Sequence, residues 1–222
     1  MRHTLLIAWL LLLPLASQGA TIKVYFAGGQ SNATKKWAEA ITAQLQRDDP
    51  SAVVVWKQHS GTPLREWYTG YSYSGNIGRQ RYYLTDIHNP DPAAAGALEA
   101  AFHDLRARGD TPVLSGIFWF QGETDQYIPQ SRRDDRYYHD ILAFRDAIAE
   151  DFQVSHLPLA LAVVYEGRGG PTSKNLQAIR DQQIALGERP DIRTYETIGL
   201  PRNDGVHLSE SAAQRLGADM AK

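Results

Sequence analysis

Four short segments carry side chains suited to hydrolytic chemistry. The first, Gly28-Gly29-Gln30-Ser31-Asn32, offers a hydroxyl, and the second, Ser60-Gly61-Thr62-Pro63-Leu64-Arg65-Glu66-Trp67, offers the backbone N–H of a glycine. The third, Trp119-Phe120-Gln121-Gly122-Glu123-Thr124-Asp125, brings a side-chain amide and two carboxylates, and the fourth, Asn203-Asp204-Gly205-Val206-His207, brings a carboxylate and an imidazole. A serine hydroxyl is a weak nucleophile until a base takes its proton. The three-residue spacing of Asp204 and His207 across a glycine-containing turn can set the carboxylate against one ring nitrogen, leaving the other for Ser31. Acyl transfer also needs donors for an oxyanion. A serine at a helix start has an unpaired N–H, and Gly61 N–H and the Gln121 amide are further candidates.

Each segment also has a plain reading. Ser31 can be a helix N-cap, Gly61 a turn glycine before a proline, and Asp204 with His207 a capped turn and a surface histidine. Asp125 reads more naturally as a solvated loop carboxylate, whereas Glu123, between Gly122 and Thr124 at a strand end, can order the nucleophile loop.

What unites the four is their place in the chain. Runs rich in β-formers at Ile22 to Ala27, Ala52 to Lys57, Val113 to Phe120, Leu159 to Tyr165 and Arg193 to Ile198 read as strands. Helical periodicity is carried by Trp37, Ile41 and Leu45, by Leu98, Ala101, Phe102 and Leu105, and by Tyr137, Ile141, Phe144 and Ile148. A last helix is expected from Ser209, as its cap, to the end. This alternation predicts an α/β domain with a five-stranded, mostly parallel sheet covered on both faces. In such sheets ligands bind beyond the carboxyl ends of the strands, and all four segments follow strands. The stretch from Thr62 to Pro92 is too long for a simple connection. It holds Trp67, Tyr68, Tyr71, Tyr73, Tyr82 and Tyr83, rings that can stack on sugars or simply pack the loop. Arg168, with Gly167, Gly169 and Gly170, follows the fourth strand and is a weaker candidate for the pocket border.

Composition narrows the function classes. With 222 residues, 43% hydrophobic and 22% charged, the chain is ordinary for a soluble domain. A net charge of −2 without a Lys/Arg run gives no footprint for nucleic acid. The lack of cysteine removes thiol chemistry, disulfides and lipoprotein attachment. Seven histidines are scattered without ligand spacing, so no metal and no cofactor is assigned. Residues 1–20 run from Arg2 and His3 through the apolar Leu5 to Leu13 to small residues, the order of a secretory signal peptide, with an uncleaved anchor as the alternative. The expected organisation is a signal over 1–20 and a hydrolase domain over 21–222. Such a protein is secreted or periplasmic, with no stable membrane anchor after cleavage. The one N-x-S/T sequence, Asn32-Ala33-Thr34, adjoins Ser31, and a glycan there would obstruct the site, which favours a bacterial setting.

Gly29-Gln30-Ser31-Asn32, Gly61-Thr62-Pro63-Leu64 with Trp67, Trp119 to Asp125, and Asp204-Gly205-Val206-His207 resemble the ordered blocks of the SGNH hydrolases. Within that superfamily they look most like the sialate O-acetylesterase and acetylxylan esterase branch. Ser60 departs from it, standing where the branch commonly has a second glycine. The resemblance implies a flavodoxin-like three-layer α/β/α fold and hydrolysis of O-acetyl esters on an acetylated carbohydrate. It places the nucleophile on Ser31, the base pair on Asp204 and His207, and the oxyanion donors on Ser31, Gly61 and Gln121, with Gln30 and Glu123 in support. A short-chain lipid, thioester or general carboxylesterase on the same fold, and a non-catalytic glycan-binding protein, remain alternatives.

Overall fold

The computed structural model describes residues 19–67, 72–73, 76–77, 96–129, 131–165 and 173–222. Residues 1–18, Tyr68, Tyr71, Tyr82 and Tyr83, and residues 167–170 with Arg168 lie outside them.

Five strands form one sheet: β1 (Thr21–Gly29), β2 (Val53–Gln58), β5 (Thr111–Phe120), β6 (Leu159–Val163) and β7 (Ile192–Glu196). Two short strands, β3 (Ser72–Tyr73) and β4 (Asn76–Ile77), pair antiparallel apart from it. The five run in the order β2-β1-β5-β6-β7, every pair parallel. Counting sheet strands alone, this is the flavodoxin-like order, and the sheet expected from the alternation of elements to be mostly parallel is wholly so. The central strands are buried on both faces, hence the near-continuous apolar run of Ile117, Phe118, Trp119 and Phe120.

The helices are α1 (Lys35–Asp48), α2 (Ala97–Ala107), α3 (Arg136–Asp151), α4 (Lys174–Leu186) and α5 (Glu210–Met220). Right-handed crossovers put α1 on one face and α2, α3 and α4 on the other, and α5, which follows the last strand, packs against α1. That pair packs through Trp37, whose indole N–H meets the Met220 sulfur at 3.4 Å. Thr34 caps α1, its hydroxyl accepting from Trp37 N–H at 3.2 Å, and Ser209 caps α5 as expected. The Ser31 hydroxyl is therefore not the helix cap.

One helix escapes the periodicity argument. In α4 the buried positions include Arg180, Gln182 and Gln183 beside Leu176, Ile179 and Leu186. Buried polar side chains interrupt the apolar stripe that would have announced it.

The chain leaves β1 for β2 on one side and returns to β5 on the other. The order therefore reverses between β1 and β5, where a crevice opens above the carboxyl ends. Gly29 pairs with Phe120 at that end, and a Cβ at Gly29 would fall 2.0 Å from the Phe120 carbonyl oxygen. Glycine lets the two strand ends close there.

Candidate active site

Ser31 lies in the turn between β1 and α1. The Gln30 carbonyl accepts from Ala33 N–H at 2.8 Å, and the Trp56 indole from β2 donates to the Ala33 carbonyl at 2.8 Å. The turn is thus held from its own chain and from the neighbouring strand. The Ser31 N–H has no partner among the described residues.

His207 reaches this turn from the loop between β7 and α5. Its Nδ1 lies 2.8 Å from Asp204 Oδ2, and its Nε2 lies 3.0 Å from Ser31 Oγ. The ionised carboxylate only accepts, so the imidazole proton sits on Nδ1 and Nε2 is left to accept from the serine hydroxyl. The other Asp204 oxygen accepts the Val206 and His207 N–H groups, each at 2.7 Å. The bond to the His207 ring, followed by these two amides, holds the Asp204 carboxyl well below the usual carboxylate range. Asp204 stays charged, and its exposure to water favours that state.

Gly61 occupies an exposed turn at φ +68°, and a Cβ there would meet nothing within 4 Å. The left-handed backbone, rather than a close approach, selects glycine here. Just beyond, Leu64–Glu66 forms a single 3-10 turn whose first N–H donates to Asp125 Oδ2 at 3.0 Å.

The third segment folds inward. Asp125, read from the sequence as solvated, is completely buried. It accepts from Leu64 N–H, from the Gln121 amide and, at 3.0 Å, from the Ser131 hydroxyl. Burial pushes its carboxyl up to about 6, against the pull of these three bonds.

Gln121, expected as an oxyanion donor, is turned inward. Its side chain is fully buried, with Nε2 bonded to Asp125 and 3.3 and 3.4 Å from the Thr62 carbonyl and Gln30 Oε1. Its Oε1 accepts from the Tyr137 hydroxyl at 3.1 Å. In this arrangement its amide hydrogens face internal acceptors, the charged Asp125 carboxylate being the strongest of them. The Ser31 and Gly61 N–H groups have no partner among the described residues.

Gln30 joins the two strand ends. Its Oε1 faces the Gly122 and Thr124 N–H groups at 3.4 and 3.3 Å, and its own N–H donates to the Phe120 carbonyl at 3.0 Å. Glu123 is buried beside it, with Oε1 accepting from Asn32 Nδ2 at 2.6 Å and Oε2 unpartnered. Burial raises its carboxyl, opposed by the Asn32 bond and the nearby His207 and Arg202 charges.

Asn32 is the residue the sequence reading passed over. It is buried, so its side chain is closed to glycosylation in the fold. Beyond Glu123, its amide donates to the Val206 carbonyl at 3.2 Å and accepts from Leu208 N–H at 3.0 Å. Only its position next to Ser31 could have drawn notice, since nothing in sequence links residue 32 to residue 207.

Among the described residues no group of histidines and carboxylates is placed to hold a metal, and no helix is long and apolar enough to cross a membrane.

Residues 35–222 match the family described as SASA, carbohydrate esterase, sialic acid-specific acetylesterase. The matched span begins just after the Ser31 turn. A protein of Arabidopsis thaliana superposes with a TM-score of 0.61 at 14% identity, over 90% of this chain and 95% of its own. A carbohydrate acetylesterase from Xanthomonas citri gives 0.61 at 14% identity over 89% of this chain, which spans 54% of that larger protein. An acetyl xylan esterase from Geobacillus stearothermophilus gives 0.51 at 13% identity, over 91% of this chain and 95% of its own. At such identities the likeness is one of fold. No curated protein matches the chain by sequence.

Proposed function

Because the chain belongs to the carbohydrate esterase family of sialic acid-specific acetylesterases, and is thereby a carboxylic ester hydrolase, we propose that it removes O-acetyl groups from carbohydrates by a serine mechanism. The observation that carries this reading is the row from Ser31 Oγ through the His207 ring to Asp204, at 3.0 and 2.8 Å.

The Ser31 hydroxyl attacks the acetyl carbonyl carbon while its proton passes to His207 Nε2. Asp204, kept ionised by its three bonds, stabilises the imidazolium and holds its tautomer. The carbonyl oxygen becomes an oxyanion facing the Ser31 and Gly61 N–H groups. Collapse breaks the bond to the sugar oxygen, which takes the proton back from His207 and leaves as an alcohol. Water then gives a proton to His207, attacks the acetyl-serine, and frees acetate with the Ser31 hydroxyl restored. Gln121 serves from behind, joining the Gly61 segment to the end of β5.

The test is Ser31→Ala assayed on nitrophenyl acetate, acetylated xylan and O-acetylated sialic acid. The variant is expected to keep its fold and lose at least about 10³-fold in kcat. Retained turnover overturns the serine mechanism, and wild-type rates that climb with acyl length beyond acetyl overturn the substrate class. Export to the periplasm or medium belongs to the same reading, supported by the pattern of residues 1–20. A mature amino terminus near Thr21 in those fractions is the expected result.

A further inference from the structure

An imidazole on an exposed loop must be held to a fraction of an ångström to take a proton from a hydroxyl on another strand. His207 is about half exposed, and its loop is separated from Ser31 by 176 residues of chain. Within its own loop, Asp204 and the Asn203 N–H, which meets the His207 carbonyl at 2.9 Å, shape the turn. Arg202, donating to the Val206 carbonyl at 3.1 Å and to the Thr197 carbonyl at 3.2 Å, ties the loop to the chain just after β7, and none of these contacts reaches the turn that carries Ser31.

Resting on the serine-esterase reading, we infer that Asn32 is a positioning residue that grips the backbone on both sides of His207 and keeps the imidazole in register with Ser31. The geometry is specific. One amide, covalently adjacent to the nucleophile, donates to the carbonyl before the histidine at 3.2 Å and accepts from the N–H after it at 3.0 Å. Its remaining N–H donates to Glu123 Oε1 at 2.6 Å, so all three of these bonds use one planar group. Glu123 lies buried at the end of β5. The Leu208 N–H can only donate and the Val206 carbonyl can only accept, so Oδ1 must face the first and Nδ2 the second, with the other Nδ2 hydrogen on Glu123. A buried side chain on a strand-end turn thereby carries the rigidity of the sheet to an exposed catalytic loop.

The experiment uses the full chain with two variants. Asn32→Ala, with an unchanged circular dichroism spectrum, is expected to lose about 10²-fold in kcat with KM within about threefold, the cost of displacing a reacting group by an ångström. Asn32→Asp keeps the shape and, when its new carboxyl is protonated, recreates an O–H donor toward Glu123 and an acceptor for Leu208 N–H. That carboxyl faces Glu123, with His207, Arg202 and Asp204 as the other charged groups around the loop. Two carboxylates sharing a site hold a proton to higher pH. The kcat of this variant relative to wild type is therefore expected to rise as pH falls from about 8 to about 5. A kcat for Asn32→Ala within threefold of wild type, or a flat ratio for Asn32→Asp, overturns the inference. The mechanism itself fails separately, through an active Ser31→Ala.

Discussion

Asp125 and Asp204 each accept three hydrogen bonds, yet their surroundings drive them in opposite directions. Asp204 stands in solvent on a loop, where a ring N–H and two backbone amides keep it ionised. Asp125 is sealed beneath the end of β5, and loss of water outweighs its three donors and raises its carboxyl to about 6. Donor count alone does not decide the state of a carboxylate; access to water does. The exposed acid is suited to steadying a transient imidazolium. The buried acid is suited to tying the Gly61 segment, through Leu64 N–H, to Gln121.

The widest separation between the two is expected in activity. Asp204→Asn should lower kcat on nitrophenyl acetate by about 10³-fold while thermal unfolding hardly moves, because an exposed loop residue contributes little to the core. Equal damage to Tm would erase the distinction drawn here.

Next in size is the reverse case. Asp125→Ala removes a buried acceptor shared by the Leu64 N–H, the Gln121 amide and the Ser131 hydroxyl. A cost of about 3–5 kcal/mol is expected, seen as a fall in Tm on the order of 10 °C in calorimetry. Unchanged stability would mean that the buried network is not what holds the rim.

The smallest effect sharpens the contrast through pH. A carboxyl raised from 3.8 to about 6 binds its proton more readily when folded than when unfolded. Its ionisation therefore weakens the fold above about pH 6, and that loss is relieved as pH falls toward about 4, by at most about 3 kcal/mol. Asp204 has the opposite sign. Its lowered carboxyl supports the fold above 3.8, and that support fades only below it. The wild-type Tm should gain on that of Asp125→Asn as pH drops from about 7 to about 4, and parallel curves would refute the buried charge.

Much of the architecture was legible because period and punctuation are local properties. The runs Ile22 to Ala27 and Val113 to Phe120 became strands within a few residues of the expected ends, and Ser209 capped its helix. Helix α4 was hidden because Arg180 and Gln183 are buried by partners distant in sequence. The Arg180 guanidinium bonds the Val164 carbonyl and Glu196, and Gln183 bonds the Val164 N–H and the Gln121 carbonyl. Ser31 reads equally well as cap or nucleophile in sequence, until the fold gives the capping role to Thr34.

Residue type and spacing by themselves determined the α/β class, the placing of four polar segments after strands, and the reach of Asp204 to its neighbour His207. Those are short-range matters of pleat, turn and rotamer. The tertiary structure alone decided which of the two acids in question loses its water, which donors at the rim keep a free hydrogen, and that Asn32 meets the backbone around His207. The Asp125–Leu64 and Asn32–Leu208 contacts join groups 61 and 176 residues apart in the chain, and burial and donor competition exist only once such groups have met.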